Sequence, residues 1–556
     1  MAGGTTDGVV KERTLLGHPI GLTHLFFTEA AERFSYYGMR AILIYSLVNY
    51  LLLKPTADSV IGYHTAKFTF EWLGAAFTYV GEYFWHLAST ACGSLTNPTT
   101  LVIALAVIVL CSVVIGLLLQ RRLSIVSFAL VGLFGGLTLL LALLGWIGVK
   151  AAVAPTQLII HDLGVQPFSS LIYGNYTSFV YLTPILGGLV ADRWLGQRKS
   201  VIVGAIIMAI GEFTLMSPHL FFLGLLLLII GNGFFKPNIS TQVGNLYKAG
   251  DSRIDRAFSI FYLGINLGAF FSPWVCGGLS DKYGYHWGYF AAGVGMVIGL
   301  VVYLFALRTL PPDRASRLKT HTEEKKPMTA EDWKATIALF LLFIPGSLFW
   351  AAYEQQGNTI ALFAQDLTDR RLIPGLIDWQ IPAAGFQSFN PFFILIFTPV
   401  VIFLWSWQAK RKTEPSVLTK MALGNIMMGA SYLVMIAAVH FTGPNGQVSW
   451  LWLLLFFAVI TMGELYFSPI GLALTARAAP PQIVSMMMGV WLMTSFTGNQ
   501  LQGIIGSYFT RMPKDEFFLM CAAIGAFAGV VFWLFNFPLK KILADRSQVT
   551  APMVDS

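Results

Sequence analysis

Charged residues are scarce in this chain of 556 residues: only 12% are Asp, Glu, Lys or Arg, against roughly 25% in soluble domains. Hydrophobic residues make up 56% of the chain. So little polar surface cannot cover a water-soluble core of this size. The composition therefore excludes an ordinary soluble enzyme, a disordered chain and a disulfide-stapled secreted domain. It indicates an all-α membrane protein with many spans.

Cysteine is also rare, and the four cysteines are Cys92, Cys111, Cys276 and Cys521. No two are spaced as in a CxxC pair, so we expect neither a metal site nor a disulfide framework. The first 20 residues lack the pattern of a cleavable signal peptide. We assign the net charge of +8 to cytoplasmic loops and expect no nucleic-acid partner.

Long apolar stretches are abundant, and fourteen of them are long enough to cross a bilayer, which takes about 20 mostly apolar residues. They lie at 20–53, 98–119, 123–149, 170–191, 200–217, 220–241, 257–279, 287–307, 335–358, 381–407, 416–441, 449–475, 482–508 and 516–538. With the N-terminus inside, the inner loops hold 23 Lys and Arg and the outer segments hold 8. This asymmetry predicts that both termini are cytoplasmic.

Charge and proline content divide the chain. Residues 308–333 are charged and contain three prolines, so we expect a cytoplasmic linker there. The linker would separate an N-terminal six-helix bundle, 1–307, from a C-terminal six-helix bundle, 334–540. Residues 541–556 would form a cytoplasmic tail.

Two segments do not fit the pattern of six plus six helices. The pair of spans at about 98–149 is inserted in the first half, and its long apolar runs hold no charge. We expect this pair to be peripheral and to face lipid on most sides. The aromatic-rich segment 59–90 carries charges as well, which predicts an interfacial helix on the outer side.

A charge inside a span is costly unless it faces a partner or a cavity, so each one is a functional candidate. In the first span, four charged residues and a tyrosine stand at offsets 0, 3, 4, 7 and 11, which share one helix face. They are Glu29, Glu32, Arg33, Tyr36 and Arg40. The alternative is an ion cluster that locks this helix to a neighbour. Two acids, two bases and a tyrosine are more than a lock requires.

Three further charges lie in later spans. Lys236 precedes a proline, and it either pairs with an acid or extends to the cytoplasmic surface. Glu354 and Glu464 are either site residues or helix-packing acids that a hydroxyl satisfies. For Glu464, deep in an apolar span, we favour the functional interpretation.

Uncharged polar residues in the spans are ambiguous, because helix–helix hydrogen bonds explain them as often as ligand binding does. These residues are Asn266, Asn390 and Asn499.

The signs of the buried charges suggest a ligand. Arg33, Arg40 and Lys236 lie in the first half, and Glu464 lies late in the second. A ligand with a negative and a positive end would satisfy both. Glu29 and Glu32 could share one proton, because adjacent carboxylates resist being ionised together. These residues predict proton-coupled uptake of a zwitterion.

The chain resembles the proton-dependent oligopeptide transporter family of the major facilitator superfamily. The resemblance covers all of the chain except roughly 55–165 and the two tails. The matching stretches are EAAERFSYYGMR (29–40), IYGNYTSFVYLTPILGGLVADRWLGQRKS (172–200), GNGFFKPNISTQVGNLY (231–247), FSIFYLGINLGAF (258–270), FWAAYEQQGNT (349–359), FQSFNP (386–391), GELYFSPIG (463–471) and WLMTSFTGN (491–499).

The resemblance implies an importer of di- and tripeptides with the major facilitator fold, driven by the proton gradient and without a cofactor. It also implies a monomer in the lipid bilayer of a bacterial inner membrane. Its site roles are likewise implied. Arg33 and Lys236 would hold the peptide carboxylate, and Glu464 the amino group.

The remaining site roles follow from the same resemblance. Glu29 and Glu32 belong to the ExxER motif, which couples protons in this family. Glu354 would face Arg40 across the outer gate and help to couple protonation to opening. The pocket lining would comprise Tyr36, Tyr37, Tyr176, Asn266, Trp350, Asn390 and Ser468.

The chain departs from the family pattern in two ways. Animal members carry a histidine where Gly174 stands, so coupling would depend more on Glu29, Glu32 and Glu354. Bacterial members usually carry their extra helix pair between the two halves, where the linker here is too short for it. The loop near 442–448 is also short, which favours a bacterial over an animal protein.

Three other classes of protein fit the sequence less well. A nitrate carrier has no use for an acid such as Glu464. A membrane-embedded enzyme is disfavoured, because no HExxH, GxSxG or histidine-rich cluster lies in the spans. A sensor or scaffold could use residues 59–149 as a docking surface.

Overall fold

The computed structural model describes residues 14–15, 17–71, 164–248, 251, 253–311, 328–373, 376–443 and 446–549. Most of these residues are helical. The predicted spans at 98–119 and 123–149 lie outside the described residues, as do most of segment 59–90 and most of the linker 308–333.

Every predicted span that falls within the described ranges contains a helix. In chain order the helices are α1 (Ile20–Ser46), α2 (Thr56–Ser59), α3 (Val165–Val190), α4 (Gln197–Leu215), α5 (Phe221–Asn245), α6 (Ile254–Tyr283), α7 (Tyr285–Ala306), α8 (Ala330–Tyr353), α9 (Thr359–Asp366), α10 (Phe389–Lys410), α11 (Val417–His440), α12 (Leu451–Leu465), α13 (Ser468–Ala478), α14 (Val484–Gly506) and α15 (Lys514–Val549). Residues 63–71 are also helical. Short π-helical and 3-10 segments extend several of these helices.

Eight helical stretches in the described part of the chain are long and apolar enough to cross a membrane. They are Pro218–Asn245, Ile254–Tyr283, Tyr285–Ala306, Ala330–Asp366, Ala383–Lys410, Val417–His440, Leu451–Ala478 and Lys514–Phe537. Helices α1, α3, α4 and α14 match predicted spans too, but they carry charged or polar side chains and are less apolar.

Local sequence signals set several helix ends. Thr329 and Asp332 form a reciprocal capping box at the start of α8: the Asp332 backbone N–H donates to Thr329 Oγ1 at 3.2 Å, and the Thr329 backbone N–H donates to Asp332 Oδ2 at 2.7 Å. Ser416 caps α11 by accepting from the Thr419 backbone N–H at 3.2 Å. Gly284, with a φ of 97°, separates α6 from α7.

Three small two-stranded sheets occur among the described residues. β1 (Thr14–Leu15) pairs antiparallel with β2 (His18–Pro19). β3 (Thr368–Asp369) pairs parallel with β6 (Val448–Ser449). β4 (Arg371–Ile373) pairs antiparallel with β5 (Ile377–Gln380), with an irregular register.

The described residues form two compact units, and the first contains those within 1–42 and 182–321. In this unit α4 packs against α5 and α7, and α6 packs against α5 and α7. Residues 20–42 of α1 also belong to it. The first unit therefore contains the charged face that the sequence predicts on α1.

The second unit contains the described residues within 43–181 and 322–556. Here α11 packs against α12 and α15, α8 packs against α14 and α15, and α10 packs against α12. Tyr432 and Phe456 are fully buried between these helices. The predicted division of the chain into six-helix bundles at 1–307 and 334–540 stays a prediction.

Gly268 in α6 allows α1 to approach closely. A Cβ at this position would lie 2.8 Å from the Phe34 backbone nitrogen and 2.9 Å from Arg33 Cβ. Both distances are shorter than van der Waals contact allows. Small residues at such crossings let two helix backbones approach each other. This crossing therefore depends on glycine.

We expect Gly268→Ala to destabilise the protein by about 1–3 kcal/mol, because the added methyl group overpacks the crossing of α1 and α6. Gly489→Ala in α14 is the matched control, since an added Cβ there meets no described atom within 4 Å. That change should stabilise by about 0.5–1 kcal/mol through helix propensity. The Tm of thermal unfolding in detergent shows whether each variant is more or less stable than the wild type. An unchanged or raised Tm for Gly268→Ala would contradict the close crossing.

Candidate functional site

Four charged side chains meet in the first unit, and we call them the charge cluster: Glu29, Glu32, Arg33 and Lys236. Lys236 Nζ lies 2.5 Å from Glu29 Oε1, and Arg33 Nε lies 3.4 Å from the same oxygen. Arg33 also donates to both carboxylate oxygens of Glu32. The structure thus brings together Glu29 and Glu32 with two of the three cations that the sequence singled out in the first half.

The charge cluster is balanced and largely buried. Glu29 and Glu32 are 0% exposed and Arg33 is 6% exposed. Two acids and two bases leave no formal net charge among the four side chains. Removing one partner of a buried ion pair leaves an uncompensated charge and costs about 3–5 kcal/mol. Each member therefore constrains the charge state of the other three.

The alternative in which Lys236 extends to the membrane surface is not observed. Helix α5 continues past Lys236 and Pro237 to Asn245. The Lys236 ammonium points at Glu29 instead, with its side chain 30% exposed. Pairing with an acid of α1 therefore accounts for this lysine.

Two tyrosines lie beside the Arg33 guanidinium. Its carbon lies 5.0 Å from the ring centroid of Tyr36 and 5.8 Å from that of Tyr37. A guanidinium near aromatic faces is stabilised by cation–π attraction. Both predicted pocket tyrosines of α1 therefore adjoin the charge cluster.

A second polar group forms around Glu464 in the second unit. Tyr353 Oη donates to Glu464 Oε2 at 2.6 Å, and Asn390 Nδ2 donates to the same oxygen at 2.9 Å. Asn390 also contacts Thr461 Oγ1 at 3.0 Å. The hydroxyl that a helix-packing acid would need is thus present, and it belongs to Tyr353. We call Glu464, Tyr353, Asn390 and Thr461 the acid site.

Glu464 and Glu354 lie at breaks between helices of the second unit. Helix α12 ends at Leu465, just after Glu464, and α13 begins at Ser468 with a proline in its first turn. Helix α8 ends at Tyr353, and Glu354 begins a 3-10 turn that precedes α9. Broken membrane helices expose backbone polar groups, and transporters build ligand sites at such breaks.

Aromatic rings surround the break after Glu464. Phe467 stacks on Phe349 with 4.0 Å between ring centroids. Trp350 meets Tyr353 edge-on at 5.5 Å, and its indole Nε1 has no hydrogen-bond partner in the described residues. The predicted pocket residue Trp350 therefore lies directly beside the donor to Glu464.

Gly174 stands where a histidine would not fit. A Cβ at this position would lie 2.6 Å from Gly503 Cα and 2.8 Å from the Asn499 carbonyl oxygen. Helices α3 and α14 touch at these glycines. The absence of a histidine at 174 is therefore a packing requirement of the second unit.

Four further predicted residues, Asn266, Tyr176, Arg40 and Glu354, are buried. Asn266 donates to the Tyr262 carbonyl of its own helix at 3.0 Å, which is neither a ligand contact nor a hydrogen bond between helices. Tyr176 is 3% exposed, Arg40 8% and Glu354 2%. The predicted pairing of Arg40 with Glu354 stays a prediction.

Sequence reasoning missed two residues. Glu212 is a carboxyl in the predicted span 200–217, and the rule that singled out the other intramembrane charges applies to it equally. It is 0% exposed and accepts from Ser35 Oγ at 3.1 Å. Tyr353 had no sequence signal beyond its position next to Glu354.

The described ranges contain no group of three or more His, Cys, Asp or Glu residues arranged to hold a metal ion.

Sequence comparisons agree on one class of protein. The model of the POT family matches residues 198–313 and 313–523. The peptide transporter YePEPT of Yersinia enterocolitica is 31% identical over 455 residues, which cover 69% of this chain and 88% of that protein. The di-/tripeptide transporter of Lactococcus lactis is 27% identical over 594 residues, which cover 96% and 98% of the two chains.

Solved structures agree as well. A crystal structure of a peptide transporter POT mutant in complex with alafosfalin has a TM-score of 0.68 and 26% identity, covering 96% of this chain and 97% of that chain. A sulfate complex has a TM-score of 0.69 with 25% identity and the same coverage. The predicted fold class, a helical membrane protein of the major facilitator type, is confirmed. The relatives are transporters, which supports the expectation that this chain is not an enzyme.

Proposed function

The chain belongs to the POT family, and from this premise we propose that it is a proton-coupled symporter that imports di- and tripeptides. The name of its Lactococcus lactis relative supports this substrate class. The observation that carries the proposal is the charge cluster, in which two cations already hold carboxylates inside a membrane protein. The same cations suit the carboxylate of a peptide.

The carboxylate end of the peptide binds Arg33 and Lys236. Each cation lies within ion-pair distance of Glu29, so the site accepts carboxylate oxygens at these positions. A peptide carboxylate would take over the cations from Glu29 and Glu32. Since the pairing is charge-assisted, each contact is worth about 1.5–3 kcal/mol.

The amino end of the peptide binds Glu464. Tyr353 and Asn390 hold its Oε2 atom with neutral donors. Neutral donors orient a carboxylate but do not cancel its charge, which a peptide ammonium would do. The lining that the family resemblance implies completes the proposal, with Tyr36, Tyr37, Tyr176, Asn266, Trp350, Asn390 and Ser468.

Proton coupling follows from the exchange of partners. When the peptide carboxylate occupies Arg33 and Lys236, the acids of the charge cluster lose their counter-charges. Glu29 and Glu32 are fully buried, and an unpaired buried carboxylate is costly unless it binds a proton. Glu354, at the helix break, is proposed to act with Arg40 at the outer gate.

The wider arrangement is proposed from the charge asymmetry of the loops and from the family. Bundles of six helices at 1–307 and 334–540 would rock around the peptide site, joined by the linker 308–333. Both termini would be cytoplasmic in a bacterial inner membrane. We propose a monomer that needs no cofactor.

Reconstituted protein should accumulate dipeptide when the outside of the liposome is made acidic. Arg33→Ala and Lys236→Ala should each weaken peptide affinity by roughly 10–150-fold, the equivalent of about 1.5–3 kcal/mol. Lys420→Ala is the control, because Lys420 is also buried and paired with an acid, Glu414, and neither residue is a member of the charge cluster or the acid site. Wild-type affinity in either cluster variant would sink the carboxylate assignment.

Glu32→Gln should uncouple peptide from protons, because glutamine mimics a permanently protonated acid. We expect the loss of pH-driven accumulation together with retained exchange of labelled for unlabelled peptide. Glu331→Gln, an exposed acid paired with Lys334, should leave both activities unchanged. Accumulation of peptide against a gradient by Glu32→Gln would mean that the proton binds elsewhere.

A further inference from the structure

Glu212 of α4 is a buried carboxyl that the proposed mechanism does not use. Its side chain is 0% exposed. Oε1 accepts from Ser35 Oγ at 3.1 Å, whereas Oε2 has no hydrogen-bond partner among the described residues. An acid held by one neutral donor differs from Glu29 and Glu32, which contact cations directly.

Among the residues that the structure describes, no cation forms an ion pair or hydrogen bond with Glu212. Leu228 of α5 packs beside the preceding Gly211, and Gly293 of α7 packs against the following Phe213. Across the helix interfaces, the titratable groups near Glu212 are Glu32 of α1, whose negative charge acts on Glu212, and the buried, neutral thiol of Cys276 in α6. An ionised carboxylate in such surroundings is very costly. The site therefore suits a carboxylic acid with its proton on Oε2.

Glu212 is linked to the charge cluster through α1. Its donor, Ser35, lies three residues after Glu32, which places both side chains on neighbouring positions of one helix turn. The negative charge of Glu32 disfavours a second negative charge on Glu212. Two interacting acids lose their protons in steps that belong to the pair. A change of charge on Glu32 therefore changes how strongly Glu212 holds a proton.

We propose that Glu212 is a second proton-binding residue of the transport cycle, an inference that rests on the proposed function. In the protonated state Oε2 carries the proton and Oε1 accepts from Ser35. On release, water from the inner side reaches Oε2 in another state of the cycle, the O–H bond breaks as that water accepts the proton, and Glu212 remains as a hydrated carboxylate. A proton from water on the outer side restores the acid. No other bond changes.

The test measures the number of protons moved per peptide in proteoliposomes, from the membrane potential and pH gradient that balance a peptide gradient. For Glu212→Gln we expect this ratio to fall by about one proton, because a carboxyl that binds one proton has been removed. Peptide exchange without a gradient should be unchanged. Glu212→Asp keeps a titratable group and should retain the wild-type ratio.

Ser200→Ala is the matched control. Ser200 lies buried on the same helix, and its hydroxyl donates to the Gly196 carbonyl at 2.8 Å. It should leave the ratio unchanged. A wild-type ratio in Glu212→Gln would overturn the proposal and leave Glu212 as a neutral packing group. Loss of peptide exchange in folded Glu212→Gln would overturn it as well.

If Glu212→Gln does not fold, Ser35→Ala tests the proposal in its place. It removes the donor to Glu212 but keeps the acid, so the pH profile of driven uptake should shift while peptide exchange is retained. An unshifted profile would contradict the proposal. If wild-type protein shows no pH-driven uptake at all, the proposed function fails, whatever Glu212 does.

Discussion

An ionised side chain inside a bilayer needs a counter-charge, and this constraint governs the first unit of the structure. Glu29, Glu32, Arg33 and Lys236 satisfy one another because α1 and α5 present opposite charges at the same place. The close crossing at Gly268 brings α6 against the same part of α1. In the proposed mechanism, a peptide carboxylate at the two cations forces an acid of the charge cluster to bind a proton, so that substrate binding and proton binding are one event.

The second unit handles its acid differently. Glu464 has hydroxyl and amide donors in place of a cation. Its position depends on broken helices, since α12 ends beside it and Tyr353 closes α8 just before the turn at Glu354. The charge cluster is balanced without a peptide, whereas the described contacts of Glu464 include no positive group. In the proposed mechanism, a zwitterionic peptide supplies positive charge to Glu464 and competes with Glu29 and Glu32 for Arg33 and Lys236.

Much of this arrangement could be predicted from sequence, because hydropathy reports directly on bilayer spans and intramembrane charges stand out against an apolar background. Pairing was harder to predict. Lys236 had two outcomes in sequence, and the position of α5 beside α1 decided between them. Asn266 was assigned to the pocket by family resemblance, yet its amide bonds to its own helix. The hydroxyl that donates to Glu464 belongs to Tyr353 of another helix, and only the tertiary structure could identify this partner. Glu212 was overlooked although its charge was visible, because no neighbouring motif drew attention to it.

Proton uptake on peptide binding tests the exchange of partners most directly. Detergent-solubilised protein in weakly buffered solution would be mixed with a dipeptide while a pH indicator reports the free proton concentration. We expect uptake of about one proton per bound peptide, since displacement of an acid from Arg33 and Lys236 leaves a buried carboxylate that must be neutralised. A dipeptide with an amidated C-terminus should cause no uptake. Tight binding of the unmodified dipeptide without any change in proton concentration would contradict the coupling of peptide and proton at the charge cluster.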